Sequence, residues 1–150
     1  MIWHIITPEY PPQLGGVSDY TQLIAKGLAA AQAKGKPISG KFEMHEGKLQ
    51  LSIYTASKGK YSEVIVNHTS GKIAKSEVIK DGEDLTHATD QSKAMAKAKK
   101  SLSAAVAKAR AGNAGVRALS VVPSLEQNKP IATIVLQNAT GTKTVSEPLN

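Results

Sequence analysis

The apolar positions of this chain change their period several times, and each change marks an element. Residues 2–7, Ile-Trp-His-Ile-Ile-Thr, form a short apolar run that predicts a buried strand. Three prolines and two glycines over residues 8–16 then hold the chain in a loop. From residue 20 to 34 the apolar side chains Leu23, Ile24, Leu28 and Ala31 recur at helical spacing. Ser18 or Asp19 can accept the free amides of that helix's first turn, and Gly35 and Pro37 end it. The period then falls to two. Strands are predicted over 38–46, 49–55, 61–67 and 73–79, separated by short turns at Glu46-Gly47, 57–60 and 69–72. A polar break at 80–84 precedes a second helix from about residue 86–90 to Arg110, with Met95, Ala98, Leu102, Ala105, Val106 and Ala109 as its apolar stripe. Gly112, Asn113 and Gly115 stop it. Strands follow over 116–122, 131–137 and 142–147, with 123–130 and 138–141 as turns.

This order predicts an α+β protein of two repeated units, each a helix packed on a small antiparallel β-meander. The segment 47–54 falls in line with 128–135 at an offset of roughly 80 residues, alike in pattern more than in identity. The expected core is Leu28, Phe42, Leu49, Leu51, Ile53, Val64 and Val66 in the first unit, and Leu102, Val106, Leu119, Val121, Ile134 and Leu136 in the second. With 150 residues the chain is long enough to bury such a core.

Composition removes several chemistries. The chain contains no Cys, which excludes a disulfide framework, a thiolate metal site and a cysteine nucleophile. His4, His45, His68 and His87 show no ligand spacing, so neither a metal nor a cofactor is expected. There is no Gly-x-Ser-x-Gly elbow, no P-loop and no His-Glu-x-x-His, and no catalytic residue is assigned. No apolar run approaches the ~20 residues of a membrane span, and residues 1–6 do not read as a signal peptide.

The formal net charge is +7, and it is placed unevenly. No acidic residue lies between Asp90 and Glu126, while Lys93, Lys97, Lys99, Lys100, Lys108, Arg110 and Arg117 do. Lys93, Lys97, Lys100, Lys108 and Arg110 are therefore the candidates for contact with a partner. An acidic protein or envelope polymer, nucleic acid and plain solvation are the readings open to them. The absence of aromatic residues from this stretch disfavours nucleic acid. Open edge strands of the meander offer a second surface, suited to a peptide added as a strand.

Two resemblances accompany these patterns. His4-Ile-Ile-Thr7-Pro8-Glu9-Tyr10-Pro11-Pro12, Gly15-Gly16-Val17 and Tyr20 make residues 2–31 resemble the N-terminus of a GT-B glycosyltransferase of the family 4 type. That resemblance implies a first strand, a glycine-rich loop and a first helix of a Rossmann-like domain. Gly15 and Gly16 would then be the candidates for approach to a sugar or phosphate. The donor-binding half of that family has no counterpart here.

Residues 25–150 resemble a PepSY-type protein with two tandem units. The carrying segments are Gly40–Glu43, Gly47–Tyr54, Tyr61–Asn67 and the turn His68–Ile73, then Ala118–Pro123 and Thr144–Leu149. This resemblance implies small modules of periplasmic, envelope or secreted proteins that bind or restrain partners, including peptidases. The expected organisation is a transferase-like start at 1–17, one PepSY-like unit at 18–80 and another at 81–150. In this chimeric sequence the join falls around Leu23–Ala31. The expected function is non-enzymatic binding or regulation of a protein or peptide partner. An inactive glycosyltransferase fragment and a basic polyanion binder are the alternatives. The oligomeric state is left open.

Overall fold

A computed structural model describes residues 23–68, 70–111 and 116–150. The predicted strand at 2–7, the loop glycines Gly15 and Gly16, and the helix stop at 112–115 lie outside those residues. The described chain runs α1 (Leu23–Ala31), β1 (Lys36–His45), β2 (Lys48–Ser57), β3 (Lys60–Val66), β4 (Ile73–Ile79), α2 (Gly82–Lys97), α3 (Leu102–Ala111), β5 (Arg117–Glu126), β6 (Lys129–Asn138) and β7 (Gly141–Pro148).

The seven strands form a single antiparallel sheet in the order β4-β3-β2-β1-β5-β6-β7. This corrects the expectation of two stacked helix-on-meander units. The sequence pattern sets which residues alternate, but not which strand pairs with which. β1 is not an edge here. It pairs with β5 through Gly40↔Val121 and Lys41↔Ser120, and that seam makes the strands one sheet.

The hairpins follow turn chemistry. Glu46-Gly47 and Lys58-Gly59 each place two residues at positive φ, at 51° and 77° and at 52° and 78°. That is the primed turn whose twist matches the flanking strands. Gln127 and Asn128 do the same between β5 and β6. The predicted turn over 123–130 therefore shrinks to two residues. Pro123 lies inside β5, opposite Ala132, and Pro130 lies inside β6, opposite Leu125. Pro123 is tolerated because β1 pairs with β5 only at 120–121, so no hydrogen bond to β1 needs its missing N–H.

Both faces of the central strands are covered. Gly40, Phe42, Leu51, Ile53, Val64, Val121, Ile134 and Leu136 share one face by register, and α1 and α3 cover it. Ser39, Lys41, Ser52, Tyr54 and Glu63 share the other, under α2. Consequently residues 38–42 and 51–55 are buried without a break, where a one-sided sheet would alternate. All the expected core residues are buried except Leu49, which is half-buried.

The second helix is not one helix. Its apolar stripe reads continuously from Met95 to Ala109, yet the chain breaks at 98–101 and passes from one sheet face to the other. Two contacts drive the break, one of them long-range. The amides of Lys99 and Lys100 both donate to the Leu149 carbonyl, at 2.7 and 3.0 Å, instead of continuing the α2 ladder. Ser101 then caps α3, its Oγ accepting the Ala104 amide at 3.0 Å. Leu149 is itself fully buried, and its amide donates to the Pro130 carbonyl at 2.9 Å. The C-terminal segment thus anchors the crossing.

α1 packs closely because two glycines face the contact. A Cβ on Gly27 would lie 2.7 Å from Leu51 Cδ2, and one on Gly40 would lie 2.9 Å from Ile53 Cδ1. Gly27→Val should destabilise the protein by about 1–3 kcal/mol, because overpacking outweighs the few tenths gained in helix propensity. Chemical denaturation measures this, and an unchanged midpoint would contradict so close an approach of α1 to β2.

Candidate functional site

Two groups of polar side chains are set into this frame. The first lies beneath α2. Lys41 is 1% exposed and its ammonium is 3.2 Å from the Glu43 carboxylate and 5.6 Å from the centre of the Tyr54 ring. The Ser52 hydroxyl donates to Glu43 at 3.1 Å, Gln50 donates to Ser52 at 3.1 Å, and the Tyr54 hydroxyl donates to Glu63 at 3.3 Å. From α2, the Gln91 carbonyl accepts the Ser39 hydroxyl at 2.7 Å. Asp84 adds a negative charge close enough to act on Tyr54. Every member of the strand set points to the same face, because β1, β2 and β3 bring Glu43↔Gln50 and Tyr54↔Glu63 into register.

Burial governs the ionisation of this group. It pushes the Glu63 carboxyl above the usual carboxylate range, and the Glu43 charge adds to the rise, while the hydroxyls of Ser52 and Tyr54 oppose it. Burial likewise pushes the Tyr54 phenol well above its ordinary value, with the Glu63, Glu43 and Asp84 charges adding. A carboxylate, a phenol and an ammonium could in principle exchange protons. Here the ammonium is paired and covered, and the Ser39–Gln91 bond beside the cluster ties α2 to the sheet.

The second group surrounds a cleft of about 280 Å³ where α1, α2 and α3 meet at one end of the sheet. Its floor is apolar, formed by Leu28, Pro37, Met95, Ala98 and Leu102. Lys36, Lys99 and Lys100 line it with Gln32, Ser101 and Ser103, and among the described residues no acidic side chain does. The Lys36 ammonium donates to the Met95 carbonyl at 3.1 Å. The lysines are exposed, so they carry their charges at the mouth while the floor stays apolar.

The basic residues expected from the sequence do not lie on one helix. Lys93 and Lys97 lie on α2, on one side of the sheet, and Lys97 donates to the Asn128 side chain. Lys108 and Arg110 lie on α3, on the other side, with Lys108 3.8 Å from Glu147. Of the five, only Lys100 reaches the cleft. Lys36 and Lys99 join it there, and the sequence reading missed both. The Ser101 cap was the available signal, since it marks a helix start immediately after Lys99 and Lys100. Gly15 and Gly16 lie outside the described residues. His45 and His68 line a separate hollow at the far end of β1 and β3. Among the described residues no three His, Asp or Glu side chains gather as a metal site would need.

A carboxyl raised by burial contributes stability below its unfolded value that is lost as pH rises through its folded one. The Glu63→Gln variant removes that loss. Its melting temperature should rise relative to the unmodified protein as pH goes from about 4 to about 7. A difference that stays flat over this range would show that Glu63 titrates normally.

No family model matches the chain, and neither a curated protein nor a solved structure does. The PepSY and glycosyltransferase resemblances therefore rest on the motifs quoted above.

Proposed function

We propose that this chain is a non-enzymatic binding module that takes an acidic, partly apolar segment of a protein partner into the cleft between α1, α2 and α3. The observation that carries this reading is the lining of the cleft: three lysines around an apolar floor, with no carboxylate among the described residues that line it. An apolar floor gains from burying a side chain, while the lysines attract a carboxylate and orient it. The PepSY resemblance of residues 25–150 supports the same class of function and names a secreted or envelope peptidase as the first partner to try.

The polyanion reading needs many lysines on one surface. The division of Lys93 and Lys97 from Lys108 and Arg110 by the sheet weighs against it.

A fluorescein-labelled peptide of alternating Glu and Leu is the direct probe. It should bind the full chain. The double change Lys99→Glu and Lys100→Glu should weaken binding at least tenfold, and Lys93→Glu with Lys108→Glu should change it little. Absence of binding, or equal losses from the two pairs, would overturn the cleft as the site.

A further inference from the structure

β4 is an outer strand of the sheet, and among the described residues nothing pairs with its free edge. Its sequence is Ile73-Ala74-Lys75-Ser76-Glu77-Val78-Ile79. An exposed edge offers unpaired backbone N–H and C=O groups to any second strand. A lysine there normally discourages pairing, but here Glu77 stands beside Lys75 with 2.6 Å between their charged atoms.

The order of these residues is self-complementary. If two copies of β4 pair antiparallel about a two-fold axis at Ser76, Lys75 of each copy lies opposite Glu77 of the other. Opposite charges directly across a ladder stabilise it, and like charges oppose it. A shift of one residue destroys this match, because Lys75 would then oppose Val78 or Ser76. Val78 is 54% exposed in the single chain, the most exposed of the large apolar side chains described. The bulge between Ile65 and Val66 places Ala74 out of the regular β3–β4 ladder, so the regular part of the edge begins at Lys75.

We propose that the free edge of β4 is a homodimer interface, in which two copies of the chain pair antiparallel about Ser76 and join their sheets into one. The interface is isologous, with the same residues contributed by both copies. It is independent of the cleft, which lies where the three helices meet.

Charge reversal tests the register. Sedimentation of the unmodified chain should show a dimer whose fraction rises with concentration. In a dimer of the Lys75→Glu variant, carboxylates would face each other at both charged pairs. In a dimer of the Glu77→Lys variant, ammonium groups would do so. Each variant alone should weaken dimerisation at least tenfold while keeping its far-ultraviolet circular dichroism. An equimolar mixture of the two should form a heterodimer, since every facing pair is again opposite in charge. The double variant carrying both changes should dimerise like the original. A monomer at all concentrations, a dimer indifferent to either single change, or a mixture that stays monomeric would each overturn the proposal.

Discussion

The pairing of β1 with β5 is the constraint on which the structure depends. It consists of two residue pairs, Gly40↔Val121 and Lys41↔Ser120, and it joins four strands on one side to three on the other. So short a ladder contributes little by its hydrogen bonds alone, since each is worth about 1 kcal/mol net. What holds it is cover on both faces. Ile24 and Leu28 of α1 pack over Gly40, and α3 lies beside them on the same face. On the opposite face α2 crosses from β3 to β6, with Ala88, Gln91, Ala94 and Met95 buried.

Lys41 makes that seam specific. Its ammonium is buried with Glu43 on the polar face under α2. A slip of β1 by one residue would carry it into the apolar layer beneath α1 and α3, where no partner waits. A buried ion pair is weak evidence for net stability, yet it penalises this particular wrong register severely. The same logic explains why Ser39, Lys41, Glu43, Gln50 and Ser52 fall on one face and Phe42, Leu51 and Ile53 on the other, although both faces are buried.

Much of the fold was legible locally. Alternation in 49–55 and 131–137, the helical spacing of Leu23, Leu28 and Ala31, and the Glu-Gly and Lys-Gly turns all correspond to elements of the structure. Their signals are short-range: side-chain period and turn conformation. The joining of the strands into one sheet was not legible, because edge and centre are decided by partners far away in sequence. The break at 98–101 was hidden for a related reason. Ala98, Lys99 and Lys100 favour helix there, and the Leu149 carbonyl that competes for the amides of Lys99 and Lys100 lies some fifty residues on. Without that break, Lys36, Lys99 and Lys100 could not be seen to share a cleft, and Lys93 to Arg110 fell on a single helix.

The cleft is a product of these same contacts. It exists because α2 ends on one side of the sheet, α3 begins on the other, and the chain between them crosses beside the start of β1. An account built on one sheet covered on both faces is tested most directly at the seam, by native-state hydrogen exchange of the amides of Gly40, Lys41, Ser120 and Val121. If the sheet is a single cooperative unit, those seam amides engaged in the β1–β5 ladder should exchange only through global unfolding, as slowly as the best-protected amides of β2 and β6. If they exchange much faster while β2 and β6 stay protected, the two halves open independently and the single-sheet account is wrong.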